Sequence, residues 1–230
     1  KKRLVSNNKR MQIQEVKIIH KQEISMKGWY GYIVDIKVKL QDNIARAKDI
    51  VFTNGTLVST DLIDIKTGES IKDTISPKLN DVFYNKKHLI AGNYNAKEKI
   101  VIFSDPLCPA CKRVVPNIIK YVKQNSEKVA LYYYHFPLLQ LHPASDVLSR
   151  AMIVATNSGI KDVELKVYDV DFSKYFEAKE QNADKILIGF NKLLNTNITS
   201  IQVQSEDIKE EILSDMVMGD GVMINSTPTI

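Results

Sequence analysis

The only two cysteines of this 230-residue chain are three positions apart, in the sequence Cys108-Pro109-Ala110-Cys111. The run of four apolar residues at 100–103 is typical of a strand that is covered on both faces. Beyond the cysteines, apolar residues recur at spacings of three and four, which predicts an amphipathic helix. The cysteines should therefore lie at the carboxyl end of a central strand, where open α/β sheets have their active sites.

The two cysteines are expected to have different roles. A thiol is a nucleophile only after it has lost its proton, and the unpaired N–H groups and dipole of a helix N-terminus favour the thiolate. Cys108, at the outer end of the predicted helix, should therefore react first. Cys111, one turn further in, can attack a mixed disulfide at Cys108 and release the partner. Pro109 suits the first helical turn, where a missing N–H costs nothing.

Two other uses of the cysteine pair are disfavoured. A zinc site needs further ligands, but the chain has no second C-x-x-C motif and its four histidines are scattered. A purely structural disulfide here would close a loop too short to stabilise the fold much. We therefore expect redox chemistry, with no metal and no cofactor.

Pro116 lies within the predicted helix, where proline should bend the axis. A C-x-x-C motif with a proline eight residues after its first cysteine resembles the active-site helix of the thioredoxin superfamily. The string FSDPLCPACK at 103–112 is especially similar to the bacterial periplasmic disulfide isomerases of the DsbC and DsbG type. The string GVMINSTPT at 221–229 resembles the cis-proline loop of the same family. The resemblance is strong over 99–137 and 206–230 and only architectural over the first ninety residues.

The resemblance implies a substrate site around the cysteines. Thr227 and Pro228, joined by a cis peptide bond, would lie opposite Cys108 and bind the substrate backbone, with Pro109 and Ala110 as the other motif residues. It also implies a β-hairpin and a final helix after the proline. The sequence stops two residues after Pro228, so we expect this C-terminal part to be missing from it.

The pattern over the first seventy residues predicts a small β-rich module. Residues 30–40 alternate between a face of six large apolar side chains and a largely polar face, which is typical of a strand. Asn54-Gly55 predicts the turn of a β-hairpin, and residues 62–68 suggest a further strand with its turn. The amphipathic segment 11–26, ambiguous between helix and strand, is interpreted as a helix.

We therefore predict an α+β fold with three parts. They are an N-terminal β-rich dimerisation domain at 1–72, a linker helix at 73–93 and a thioredoxin-like catalytic domain at 94–230. Ser76 and Pro77 are the expected start of the linker helix. The alternative, that this helix simply packs on the catalytic domain, stays open.

Within the catalytic domain, residues 129–136 predict a second core strand, and His135 at its end is expected to be structural. Residues at about 142–205 are interpreted as a helical insertion beside the active site, with helices ending near Gly159 and at Asn195. Ser205 should cap a last helix that ends at Gly219. Its inward residues are expected to be Ile208, Ile212, Leu213 and Met216.

The net charge of +5 comes from scattered basic residues, which predicts solubility rather than nucleic-acid binding. No apolar run approaches the length of a transmembrane helix. The basic segment at 1–10 is not followed by the apolar stretch of a signal peptide, so a signal was either removed upstream or never present. A single C-x-x-C motif does not identify the compartment, so the periplasm is expected from the resemblance alone.

These observations predict an enzyme, a periplasmic thiol–disulfide oxidoreductase or isomerase. Its partners would be unfolded or misoxidised secreted proteins and a membrane redox protein. The alternatives are a holdase chaperone whose cleft binds unfolded chains, and a DsbA-like dithiol oxidase.

A homodimer through residues 1 to about 70 is also expected. A module of this size seldom has a sufficient core, and the apolar face of 30–40 exceeds what its neighbours could cover. The opposing interpretation is that the module folds back on its own catalytic domain.

Overall fold

The computed structural model describes residues 11–40 and 43–230. The predictions for the basic N-terminal segment therefore lie outside the described residues. The chain divides into two compact units, Lys1–Lys78 and Leu79–Ile230.

The first unit is built on a four-stranded antiparallel sheet with its strands in chain order. The strands are β1 (Met11–Glu23), β2 (Tyr30–Leu40), β3 (Asn43–Thr53) and β4 (Val58–Ser59). The predicted strand at 30–40 and the hairpin turn at Asn54-Gly55 are both confirmed. The Asn54 side chain accepts hydrogen bonds from the N–H groups of Thr56 and Leu57. Gly55 has a φ of +92°, which glycine adopts without strain.

Three expectations for this unit are wrong. Segment 11–26 is not a helix, because its β-branched residues favour an extended backbone and pairing with β2 satisfies that backbone. Residues 62–68 form no regular strand but a single bridge between Ile63 and Ser70, with the turn closed by the Asp64 carboxylate. On β2, the expected polar face contains the fully buried Ile33. Val34, on the opposite face, is also buried. Two register shifts between β1 and β2 bend this pair of strands, and both faces of β2 hold buried residues.

The linker helix predicted at 73–93 does not exist. The segment contains short 3₁₀ turns, of which two are Asp81–Phe83 and Lys86–His88, followed by the strand β5 (Leu89–Gly92). The side chains of Asn80 and Asn85 each cap one of these turns. Caps five residues apart break the stretch into single turns, so the apolar spacing does not build a helix.

The second unit holds a three-stranded sheet in the order β5-β7-β6. Strand β6 (Glu98–Ser104) leads into helix α1 (Pro109–Gln124), and β7 (Val129–His135) returns parallel to β6. Strand β5 is antiparallel to β7. Alternate residues of β7 belong to two different hydrophobic clusters, Leu131 and Tyr133 to one and Tyr132 and Tyr134 to the other. This sheet is therefore buried on both faces, as the unbroken apolar run of β6 predicts.

The predicted insertion at about 142–205 is helical. It contains α2 (Ala144–Asn157), α3 (Val163–Asp169), α4 (Ala183–Leu194) and α5 (Ser200–Val203). The predicted ends of α2 and α4 are confirmed. No helix among the described residues is long and apolar enough to cross a membrane.

The last helix, α6 (Glu206–Gly221), begins after Ser205 as predicted but continues past Gly219. Its buried face contains Ile208 and Ile212 but not Leu213, which is 60% exposed. Asp215 and Gly219 complete that face instead. Met216 is half-buried and packs against both hydrophobic clusters, so Leu213 is the one predicted inward residue that is wrong.

Candidate active site

The cysteines lie where the sequence predicts, at the junction of β6 and α1. Cys108 is the N-cap residue of the helix, and its carbonyl accepts the N–H of Lys112 at 3.0 Å. Cys111 follows one turn later. Both are free thiols. Cys108 is 7% exposed to solvent, whereas Cys111 is fully buried. Water and substrates therefore reach the pair from the side of Cys108.

The C-terminal loop completes the site. The peptide bond between Thr227 and Pro228 is cis, which confirms that prediction. Thr229 exchanges two backbone hydrogen bonds with Phe103 of β6, at 2.9 and 3.1 Å. This pairing places the Thr227 carbonyl 3.3 Å from Cys108 Sγ, where it accepts the thiol proton. The structure thus brings together residues that are 119 positions apart in the chain.

The surroundings of Cys111 hold it in the thiol form. Burial raises its pKa to about 11, against the opposing effect of the nearby Ser104 side chain, Asp105 backbone and Thr227 side chain. A negative charge on Cys108 would raise that pKa further. The Thr227 hydroxyl is buried and has no hydrogen-bond partner among the described residues. The two cysteines therefore differ in access, and burial holds Cys111 as the thiol.

Asp105, to which sequence analysis gave no role, holds the loop before Cys108. Its fully buried carboxylate accepts four hydrogen bonds, each between 2.6 and 3.1 Å long. The donors are the N–H groups of Leu107 and Leu138, the Ser145 hydroxyl and His142 Nδ1. One side chain thus fixes the active-site loop to the start of the helical insertion. No signal in the sequence indicates where those donors are.

The remaining predicted site residues are Pro109 and Ala110, which form the first turn of α1. Pro109 is exposed and Ala110 is half-buried. His135 is buried at the end of β7, and desolvation lowers its pKa to about 4. That neutral, inaccessible ring suits the structural role predicted for it. Within the described residues, no cluster of three or more His, Cys, Asp or Glu side chains could hold a metal ion.

Three features define a thioredoxin-like fold: a strand that leads into a C-x-x-C helix, a second strand parallel to the first, and a cis-proline beside the first cysteine. Residues 84–230 match the family model described as Thioredoxin. The chain therefore belongs to the thioredoxin family, and its site contains the dithiol that thiol–disulfide exchange requires. No curated protein matches the sequence.

Several solved structures resemble this chain. A thioredoxin-like oxidoreductase from Silicibacter pomeroyi DSS-3 is 20% identical, with a TM-score of 0.50 over 66% of this chain and 83% of that one. Proteus mirabilis ScsC in a compact conformation is 22% identical, with a TM-score of 0.49 over 64% and 70% of the two chains. Pseudomonas aeruginosa DsbA2 is 21% identical, with a TM-score of 0.45 over 66% and 80%. Similarity at this level concerns the fold alone.

Proposed function

We propose that this protein is a thiol–disulfide oxidoreductase that isomerises disulfides in unfolded or misoxidised secreted proteins. The observation that carries the proposal is the asymmetry of the cysteine pair. Cys108 caps a helix N-terminus beside the Thr227 carbonyl, whereas Cys111 is sealed beneath it. A first thiol that keeps some exposure above a fully enclosed second thiol is the arrangement that sequential disulfide exchange needs.

In the proposed reaction, the Cys108 thiolate attacks one sulfur of a substrate disulfide. A Cys108–substrate disulfide forms and the other substrate sulfur leaves as a thiolate. That thiolate can then attack a different substrate disulfide, which rearranges the pairing without net oxidation. Alternatively, Cys111 attacks Cys108, releases the substrate in reduced form and leaves the enzyme oxidised. The backbone at Thr227 and Pro228 is where an extended substrate would bind during these steps.

Refolding of a substrate with scrambled disulfides tests the proposal. Wild type should restore its activity, Cys108→Ser should not, and Cys111→Ser should accumulate the mixed disulfide. A measured reduction potential separates an isomerase from a dithiol oxidase, since a strongly oxidising pair that fails to unscramble the substrate would indicate an oxidase. If the double cysteine variant suppresses aggregation as well as wild type and neither protein exchanges disulfides, the holdase alternative is correct.

We propose the periplasm as the compartment. The 103–112 string is similar to that of periplasmic isomerases. In addition, disulfide exchange on secreted proteins requires an oxidising compartment, in which disulfides persist. A membrane redox protein would keep the cysteine pair in its working state. Subcellular fractionation tests the location, and trapping with Cys111→Ser tests the partners.

We also propose a homodimer through the first unit. The face of β2 that sequence analysis expected to be uncovered is partly buried, so the support comes from elsewhere. In the described sheet, β1 is a 13-residue edge strand with one neighbour. Ile18 on this strand is 64% exposed, and Ile44, Leu57 and Val58 are exposed to a similar degree. A long edge strand with exposed apolar residues is suited to pairing with a second copy.

Light scattering on the full chain tests the dimer. Wild type should be dimeric at micromolar concentration, and Ile18→Lys should shift it towards monomer. Ile201→Lys is the matched control, because Ile201 is 83% exposed but belongs to the second unit. A monomeric wild type would refute the dimer.

A further inference from the structure

A chain of three buried hydroxyl groups lies beneath the cysteines. The Ser104 hydroxyl, at the end of β6, is 2.6 Å from the Tyr168 hydroxyl on α3. The Tyr168 hydroxyl is in turn 2.8 Å from that of Tyr133 on β7. The three residues are between 0% and 2% exposed. Three separate elements thus contribute to one continuous set of hydrogen bonds.

This chain begins at the buried thiol. Cys111, Tyr133 and Tyr168 belong to the same buried cluster. The nearby Ser104 side chain lowers the pKa of Cys111, and a charge on Cys111 raises the pKa of both tyrosines. The tyrosine hydroxyls also lose solvation on burial, so both stay protonated throughout the physiological pH range. They can therefore orient as donors towards a negative sulfur. The charge of the buried Glu164 also raises the pKa of Tyr133.

Burial alone does not account for this arrangement. The neighbouring Tyr134 directs its hydroxyl to the backbone carbonyl of Phe83. Tyr132 has a buried hydroxyl without a hydrogen-bond partner among the described residues. The same strand thus shows two simpler ways to bury a tyrosine. Only on the side of the cysteines are the hydroxyls linked to one another.

We propose that Ser104, Tyr168 and Tyr133 form a hydroxyl chain that stabilises the Cys111 thiolate and so sets the rate at which mixed disulfides are resolved. Ser104 is the member nearest the reacting sulfur and would donate to it, while the two tyrosines position its hydroxyl. When Cys111 loses its proton, each hydroxyl can donate to the next, Tyr133 to Tyr168 to Ser104 to the sulfur. Hydrogen bonds to a charged acceptor are stronger than neutral ones, and each bond polarises its neighbour.

The inference rests on the proposed exchange reaction and concerns its second step. Cys111 gives its proton to solvent, and its thiolate attacks the Cys108 sulfur of the mixed disulfide. The Cys108–Cys111 bond forms as the bond from Cys108 to the substrate sulfur breaks. The substrate leaves as a thiolate and takes up a proton from solvent. Two electrons pass from the cysteine pair to the substrate sulfur, so no further oxidant is needed.

One equivalent of 5,5′-dithiobis(2-nitrobenzoic acid) separates the two steps in a single absorbance trace. The attack of Cys108 releases the first coloured thiolate, and the attack of Cys111 releases the second. Ser104→Ala should slow the second phase about tenfold, the effect expected for loss of a bond to a charged group. Tyr168→Phe should slow it more than twofold, because the Ser104 hydroxyl is no longer held as a donor towards the sulfur. Tyr133→Phe should have a smaller effect. The first phase should change less than twofold in all three variants.

Tyr132→Phe is the matched control, because it removes a buried hydroxyl from the same strand and should alter neither phase. The second-phase rate should rise with pH in every protein, with the Ser104→Ala curve displaced to higher pH. If Ser104→Ala does not fold, Tyr168→Phe, which keeps the ring, decides alone. A second phase within twofold of wild type in Tyr168→Phe, and in Ser104→Ala where it folds, would overturn the hydroxyl chain. Absence of both phases in wild type would instead refute the exchange reaction itself.

Discussion

At the scale of single residues, the reactivity of the site depends on how far water reaches each sulfur. Cys108 lies at the open end of α1, whereas Cys111 is enclosed by Ser104, Thr227 and the backbone of Asp105. Enclosure raises the pKa of Cys111 to about 11, so that few molecules carry its thiolate at neutral pH. The second step of exchange should therefore depend strongly on pH.

This dependence can be measured in Cys108→Ser, where Cys111 is the only thiol. Its alkylation by iodoacetamide should rise about tenfold per pH unit and continue to rise through pH 10, because the thiolate fraction grows until the pKa is reached. The same variant unfolded in urea is the control, and its rate should level off near the ordinary thiol pKa of about 8.5. A rate that levels off below pH 9 in the folded protein would contradict the burial argument.

Asp105 is the second residue whose environment makes a sharp prediction. Each of its oxygens accepts one backbone N–H, from Leu107 or from Leu138, so an amide in its place must direct its NH₂ group at a fixed donor in either orientation. Asp105→Asn should lower the free energy of unfolding by about 2–4 kcal/mol, the cost of leaving buried donors unsatisfied. Asp184→Asn, on the exposed first turn of α4, should change it by less than about 0.5 kcal/mol. Equal effects in urea unfolding would show that Asp105 is not a structural centre.

At the scale of elements, α6 is packed against the sheet through an unusually small residue. An added methyl group at Gly219 would come within 2.6 Å of the Phe136 ring and 3.2 Å of the Phe103 ring. The absent side chain is what lets the helix approach these aromatic residues. Gly221, two positions later in the same helix, has nothing within 4 Å of the corresponding point.

The two glycines should respond in opposite ways to alanine. Gly221→Ala should be neutral or stabilising by up to about 1 kcal/mol, because alanine has the higher helix propensity. Gly219→Ala gains the same propensity but forces the rings or the helix to move, which costs about 1–3 kcal/mol. Its midpoint in urea should therefore fall below that of Gly221→Ala. If both variants are stabilised equally, the close approach of α6 is not required.

At the scale of the whole molecule, the second unit is held at one end by a cluster of buried polar groups. Asp215 of α6 is 2.7 Å from His88 Nε2 and accepts the backbone N–H of His135 at 2.9 Å. The His88 ring also stacks on Tyr134, with ring centres 4.0 Å apart. The cluster joins the turn before β5, the end of β7 and α6.

This cluster predicts how the fold responds to acid. Burial lowers the pKa of His135 from 6.5 to about 4, so between those values the unfolded chain binds a proton that the folded protein does not. The contribution of His135 to the free energy of unfolding is therefore at its maximum above about pH 6.5. It decreases as the pH falls towards 4, by at most about 1.4 kcal/mol per pH unit. Urea unfolding of His135→Phe should show a shallower loss over this interval and the wild-type slope above pH 7. The same slope in both proteins between pH 6.5 and 4 would contradict the assignment.

The sequence by itself determined the elements whose cause is local. The unbroken apolar run of β6, the spacing of the apolar residues after Cys111, and the positive φ of Gly159 and Asn195 after α2 and α4 each act within a few residues. They therefore predict structure without knowledge of the rest of the chain. The cysteine positions followed from those elements. The cis bond at Pro228 was predicted from resemblance, since local preference favours the trans form.

The tertiary structure decided the features whose cause lies far along the chain. Segment 11–26 has an amphipathic pattern, but pairing with β2 selected the strand. The four donors to Asp105 and the hydroxyl chain from Ser104 to Tyr133 come from segments separated by as many as 64 residues. A periodic pattern shows which side of an element is buried but not which distant polar group will meet it there. Packing of the finished fold makes that choice, because a buried hydrogen-bonding group must find its partner among whatever the topology brings beside it.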